Sequence, residues 1–355
     1  MADGKAMISH NRPLITPEDR VAVDAALRSG WVAQGPEVEA LEAEFVQRYG
    51  GGACAVSSGT AALFLALKAL NIGAGSKVAV PTYACSALLN AVCMAGASPI
   101  VLDVQPDSFC LDPAALAQQT PVVDCAIAVH TYGAEAEIEE LKISANLVLE
   151  DCCHAPGGSG RAGLLGQAGD AAVFSFYATK VITGGQGGLV WSANREVIER
   201  VEDYRQFDCR ESYMPRFNLQ MTDIQAAMIN SQMSRLAAIR ARRQAIALAY
   251  LAALPAGLSA QSNLADAGRM AYRFVVLAPD LAARDALHQH MEQAGISCAV
   301  PIERYELLHR YLNLNTAKFP VAERLVDTTL SLPIHLCLTD KEISHIADTL
   351  NLFRP

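Results

Sequence analysis

The run Ser175-Phe176-Tyr177-Ala178-Thr179-Lys180, continued by Thr183-Gly184-Gly185-Gln186-Gly187-Gly188, sets one lysine between an apolar stretch and a glycine-rich turn. Ala171-Ala172-Val173-Phe174 precedes it and Leu189-Val190-Trp191 follows, so the pattern predicts a strand on either side of the turn. A lysine fixed at such a junction is partly shielded from water. Shielding is expected to lower its pKa and free the amine for attack on a carbonyl. That chemistry suits a Schiff-base lysine, and pyridoxal 5′-phosphate (PLP) is the cofactor that most often uses one. The same spacing also fits a surface lysine beside a hairpin, and local sequence does not separate the two.

Three further groups bear on the choice. Ser57-Ser58-Gly59-Thr60 lies between an apolar run and a helical stretch. Unpaired N–H groups at a helix start, with the helix dipole, bind anions, and a phosphate is the natural guest. An ordinary N-cap would look the same. Glu150-Asp151-Cys152-Cys153-His154 follows the apolar run Leu147-Val148-Leu149. A carboxylate at a strand end, assigned to Asp151, can pair with a pyridinium nitrogen and keep it protonated. His154 lies where it could touch the cofactor or the substrate. A metal site built from Asp151, Cys152, Cys153 and His154 is disfavoured, because adjacent cysteines rarely share one metal and no second ligand pair is evident. Ser175, five residues before Lys180, could bind the same phosphate as Gly59 and Thr60.

The elements that would position these groups alternate along the chain. Apolar runs at 53–56, 77–80, 99–102, 125–129 and 147–150 are separated by helical stretches such as 61–70 and 86–95. Continuously apolar strands between helices predict a mostly parallel sheet covered on both faces, with ligands at the carboxyl ends of the strands. Every polar motif falls at such an end. One long helix is predicted from Thr222 to Leu254, stopped by Pro255-Ala256-Gly257. Short strands at 272–277 and 297–301 and a last helix at 340–352 predict a smaller α+β unit. The expected division is a large domain over 1–245 and a small one over 246–355. A helix from Pro17 to Arg28 is expected to pack beside the large domain, on the small one, or across to a partner.

Composition sets the class. The 355 residues are 52% apolar and 18% charged, enough for a sizeable core and unlike a disordered chain. A net charge of −9 argues against nucleic acid or an anionic membrane as the main partner. The basic residues Arg235, Arg240, Arg242 and Arg243 read as a solvated helix face. No apolar run is long enough to span a bilayer, and Met1-Ala2-Asp3-Gly4-Lys5 lacks a leader pattern. Ten cysteines without a Cys-x-x-Cys pair fit a reducing cytoplasm.

Taken in order, these motifs resemble the DegT/DnrJ/EryC1/StrS family of PLP-dependent sugar aminotransferases. Ser29-Gly30-Trp31, Gly35-Pro36-Glu37-Val38, Ser57 to Leu63, Val80-Pro81-Thr82-Tyr83 and Val129 to Gly133 carry the likeness. Glu150 to His154, Ser175 to Lys180, Asn218, Met221 to Ala227 and Ser331-Leu332-Pro333-Ile334 complete it. The resemblance implies an α/β, fold-type-I aminotransferase: a large domain with a mostly parallel central sheet and a smaller α+β C-terminal domain. It also implies a homodimer with shared active sites and PLP as cofactor. Lys180 would form the Schiff base and shuttle the proton, Asp151 would pair with the ring nitrogen, and His154 would sit beside the ring. Ser58, Gly59, Thr60 and Ser175 would hold the phosphate, with Asn218 reaching it from the neighbouring subunit. No metal is implied. The expected reaction moves an amino group, with glutamate as donor, onto a nucleotide-linked keto-deoxysugar. A PLP-dependent sugar dehydratase is the second reading, weakened because dehydratases of the family replace the lysine with histidine. A non-catalytic PLP-binding regulator is the third.

Three positions depart from the family pattern. Cys85 stands where an aromatic residue often stacks on the cofactor ring, Gln220 replaces the arginine before Met221, and Leu219 replaces an aromatic residue. Stacking on the cofactor ring must therefore come from a smaller side chain, such as the cofactor-binding Cys85 itself, or from elsewhere.

Overall fold

The apolar runs come together in one seven-stranded sheet in the computed structural model, which describes residues 7–354. The leader reading at Met1–Lys5 lies outside the described residues. The strands are β1 (Gly52–Val56), β2 (Lys77–Pro81), β3 (Ser98–Leu102), β4 (Val123–Val129), β5 (Ala145–Asp151), β6 (Ala171–Ser175) and β7 (Gly188–Ser192). Their order is β1-β7-β6-β5-β4-β2-β3. All neighbouring pairs from β6 to β3 are parallel, and β7 runs antiparallel to both β6 and β1. The sheet is thus mostly parallel, as the continuous apolar runs predict.

Helices cover both faces. On one side α3 (Gly59–Ala69), α4 (Ala87–Met94) and α5 (Arg195–Arg205) pack in the same buried cluster as Val173, Leu149 and Ile127. On the other, α2 (Pro36–Tyr49), α6 (Asp223–Met233) and the start of α7 (Leu236–Ala253) join Phe174, Phe176 and Trp191. Nine of the eleven residues of α3 are buried, so burial and not an amphipathic stripe fixes it. The helix α1 (Pro17–Ser29) has a capping box at Thr16 and Asp19 and lies against α6. Asp19 there accepts from Ser231 Oγ at 2.7 Å and Arg235 Nη2 at 2.5 Å.

The C-terminal part has its own core. A three-stranded antiparallel sheet of Ser259–Ala260, β8 (Phe274–Leu277) and β9 (Thr329–Leu332) packs with α8 (Leu281–Gln293) and α10 (Asp340–Leu352). Between them α9 (Pro320–Thr328) turns back toward the large sheet, with Ala322, Leu325 and Val326 buried in its core. The expected boundary at 245 falls inside α7. Leu236 and Ile239 of that helix belong to the large core and Ile246, Ala247 and Tyr250 to the small one. Residues 8–10 touch the small core as well: Ile8 bridges to Ile296, and His335 Nε2 bonds Ser9 O.

Three expectations are corrected. The stretch 222–254 is two helices, α6 and α7, broken at Ser234-Arg235, where Arg235 turns its guanidinium onto buried Asp19. No glycine or proline marks that break. The strand predicted from Tyr272 starts at Phe274, and Tyr272 N bonds Met270 O at 2.7 Å in a tight turn. The stretch 297–301 makes only an isolated bridge, Ala299 to Ser331.

Asp223, buried at the start of α6, fixes the entry to α2. Its Oδ1 accepts from Gly35 N at 2.8 Å and Val38 N at 3.1 Å, and its Oδ2 from Glu37 N at 3.1 Å. Asp223→Ala strands these backbone donors and should cost about 2–4 kcal/mol. A lowered urea midpoint is the expected readout; an unchanged midpoint would contradict this account of α2.

Candidate active site

The carboxyl ends of β4, β5 and β6 open into one cavity of about 410 Å³. Ser58, Gly59, Thr60, Cys85, Asp151, His154, Ser175 and Lys180 all line it. Asn218 does not. It is exposed, in the irregular stretch between α5 and α6.

The anion end of the cavity is built by close backbone approach. Ser58 is extended, with its Oγ accepting from Ala61 N at 3.1 Å to start α3. A Cβ on Gly59 would lie 2.8 Å from Ser175 Cβ and 3.5 Å from Cys153 Sγ, so only glycine lets the helix start meet the end of β6. Gly188 of β7 runs against the Ser58–Gly59 peptide with no room for a side chain. Strand alternation puts Ser175 on the α3 side of the sheet with Val173, and Asp151 there with Leu149. Asp151 is buried, and its Oδ1 accepts from Cys153 N at 2.9 Å.

Lys180 sits in the turn after β6, its N bonded to Tyr177 O at 2.8 Å. Gln232 of α6 clamps the same turn, accepting from Thr183 N at 2.9 Å and donating to Thr183 O at 3.0 Å. Lys180 Nζ lies 5.3 Å from the centre of the Tyr272 ring. The sequence-based expectation of a lowered lysine pKa is overturned. Burial pulls it down, but Tyr272, Cys153, Asp151 and Cys85 together hold it above its ordinary value. Tyr272 shifts in the complementary sense: burial raises its phenol, and Lys180, Arg273, a hydrogen bond with Thr179 and Arg243 together outweigh that to lower it.

His154 stacks on Tyr272, with ring centres 4.3 Å apart at 11°. Its Nδ1 accepts from Tyr132 N at 3.3 Å. Burial first, then the charges of Lys180 and Arg273, push it well below the ordinary histidine range. It is therefore a neutral imidazole with Nε2–H as its donor. Tyr132, Tyr272, Arg273, Cys153 and Gln232 were not singled out from the sequence as site residues. Tyr132 lies inside the Val129–Gly133 motif, whereas Tyr272 and Arg273 come from a strand start far away in the chain.

Glu150, next to Asp151, points to the opposite face. It bonds His130 Nε2 at 2.8 Å, Gly166 N at 2.9 Å and Gly169 N at 2.5 Å. Burial raises its carboxyl, but these partners hold it below the usual range. His130, Glu150 and Cys152 approach within 4.8 Å of one another. His130 has both ring nitrogens engaged, Nδ1 with Ala136 N at 3.1 Å, so the His130–Glu150 pair reads as a hydrogen-bonded brace with Cys152 beside it.

Comparison with known proteins finds relatives along nearly the whole chain. The model of the DegT/DnrJ/EryC1/StrS aminotransferase family matches residues 13–351. The chain is 30% identical to the spore coat polysaccharide biosynthesis protein SpsC of Bacillus subtilis, covering 97% of this chain and 96% of SpsC. It is 32% identical to the erythromycin biosynthesis sensory transduction protein EryC1 of Saccharopolyspora erythraea, over 94% of this chain and 95% of EryC1. Among solved structures, S. venezuelae DesV superposes with a TM-score of 0.86 at 30% identity, covering 94% and 93% of the two chains. The aminotransferase TlmJ of Streptoalloteichus hindustanus gives 0.87 at 26%, over 97% and 98%. Spr1654 of Streptococcus pneumoniae, solved in PMP and PLP forms, gives 0.90 at 25% for the PMP form, over 97% of each chain. The chain belongs to the DegT/DnrJ/EryC1/StrS aminotransferase family and is a PLP-dependent aminotransferase of the sugar aminotransferase type.

Proposed function

We propose that this protein transfers an amino group from glutamate to a keto-deoxysugar carried on a nucleotide. The observation that carries the reading is the meeting of Lys180, Asp151, Ser175 and the Gly59 turn at one cavity. The residues fit PLP. The start of α3 offers backbone donors beside Thr60 and Ser175 for a phosphate, and the forbidden Cβ at Gly59 keeps that cradle open. Asp151 would hold a proton on the ring nitrogen, and His154 would donate from Nε2 to the ring's oxygen. When bound, PLP supplies an electron sink for the bond broken at the substrate carbon. Lys180 Nζ would take the proton from the donor's α-carbon and return one at the acceptor carbon. Cys85 is exposed in the cavity, a small contact for a ring face.

An apolar wall of Leu63, Ala84, Ala87, Leu88 and Ile302 suits a sugar that has lost hydroxyls. SpsC and EryC1 carry polysaccharide and erythromycin biosynthesis in their names, which supports a sugar acceptor. EryC1 is also named for sensory transduction, but Lys180 and Asp151 at the cavity favour catalysis over a regulatory role. A homodimer would bring Asn218 of one subunit to the phosphate of the other. Ten free cysteines fit a cytoplasmic setting, which cell fractionation checks.

Lys180→Ala should lower amino transfer by about 10³-fold or more while leaving the fold intact. Wild-type holoenzyme should lose its visible cofactor absorbance on adding glutamate; bleaching by other amino acids only would remove glutamate from the reading. Gly59→Ala should raise the dissociation constant for PLP about tenfold or more, because the added methyl meets Ser175. Equal PLP affinity in titrations of the two proteins would contradict the cradle. Sedimentation of the holoenzyme should give twice the 37.9 kDa chain mass, and Asn218→Ala should weaken cofactor retention. A monomer with full PLP affinity would remove the shared site.

A further inference from the structure

The charged groups lining the cavity are equal in number, but among the described residues they form no ion pair with one another. Its cations are Lys180 and Arg273, since His154 is neutral, and its carboxylates are Asp151 and Glu306. Glu306 accepts from Glu303 N at 2.8 Å, and Asp151 from Cys153 N. Arg273 has no carboxylate within salt-bridge distance among the described residues. Arg205 and Arg235 have carboxylate partners, Glu42 at 2.6 Å and Asp19 at 2.5 Å, and buried Arg243 is satisfied by the carbonyls of Ala271 and Tyr272 instead.

Arg273 is nevertheless held in place. Its guanidinium lies 5.5 Å from the centre of the Tyr132 ring and 5.8 Å from that of Tyr272. Nη1 reaches Ser331 Oγ at 3.4 Å, and Nε is buried without a hydrogen-bond partner among the described residues. His10, a neutral imidazole, bonds the same Ser331 oxygen at 2.9 Å. A fixed, planar, multiply donating cation facing a cavity, with an unpaired buried donor, is built to receive a carboxylate.

We infer that Arg273 binds the α-carboxylate of the amino-acid donor, a conclusion that rests on the aminotransferase reading above. The donor's nitrogen must come to the place served by Lys180. Its α-carboxylate is attached to the same carbon, so the group receiving it must lie close to Lys180. Lys180 Nζ and the Arg273 guanidinium flank one ring, each within 6 Å of Tyr272. The diphosphate of a nucleotide-linked acceptor is spaced from the reacting keto carbon by the sugar ring, and so belongs further out. Arg273 therefore governs entry of the donor, not of the acceptor's nucleotide.

The test uses two reduced, stable adducts, phosphopyridoxyl-L-alanine and phosphopyridoxyl-ethylamine, which differ only by the carboxylate. Both are titrated calorimetrically into the full chain stripped of cofactor, with pyridoxamine phosphate as a control for the cofactor site. Wild type should prefer the alanine adduct by about 10- to 100-fold. R273Q should bind both adducts alike while keeping its affinity for pyridoxamine phosphate, and R273K should retain part of the preference. No preference in wild type, or the full preference retained in R273Q, overturns the assignment. So does an equal weakening of all three ligands in R273Q with the preference kept, which would mark a structural role. If R273Q does not fold, an undiminished preference in R273K overturns it instead. Weakened binding of a nucleoside diphosphate in R273Q, with the adduct preference intact, would reassign Arg273 to the acceptor. Neither adduct contains the glutamate side chain, so failure of glutamate as donor leaves this test unaffected.

Discussion

The site depends on a steric constraint: two backbone turns meet where no side chain fits. Gly59 opens α3 against Ser175 at the end of β6, and Gly188 of β7 lies against the Ser58–Gly59 peptide. The antiparallel β7 is what makes this possible. Threaded between β1 and β6, it brings the turn after Lys180 back to the turn that follows β1. A bridge between Ser58 and Gly187 closes the junction. The helix start, the strand-end serine and the lysine turn are therefore one packed unit, and a Cβ at either glycine would separate groups far apart in the sequence.

The second organising principle is the two-residue period of a strand. Glu150 and Asp151 are neighbours in β5 with the same chemistry, yet the pleat sends them to opposite faces. Glu150 meets His130 and two glycine N–H groups, which fully employ it as a brace. Asp151 faces the α3 side and the cavity. One carboxylate holds the strand ends in register while the other is left for chemistry.

Much of this was legible in the sequence because it follows from local chemistry. Apolar runs marked the strands, and the residues at their ends marked the cavity. The break between α6 and α7 left no such trace, since it answers to Asp19 on a helix some two hundred residues away. The pKa of Lys180 was misread for a similar reason. Burial could be inferred from the apolar strand before it, but Tyr272, which opposes burial most strongly, comes from the C-terminal sheet. Tyr272 also read as a strand residue, and its tight turn with Met270 directs it into the cavity instead. Pair interactions between distant segments have no signature in either segment alone.

The C-terminal part adds to the aromatic surface of the cavity. Tyr272 joins Tyr132 and His154, which follow β4 and β5, in one aromatic stack. The stack also sets the charges. Tyr272 has Lys180 over its ring and Arg273 beside it, and the two cations lower its phenol while the phenol raises Lys180. Arg273 gains the faces of two rings and so stays fixed without a carboxylate partner. Tyr272 thus couples the lysine, the arginine and the small sheet through a single ring.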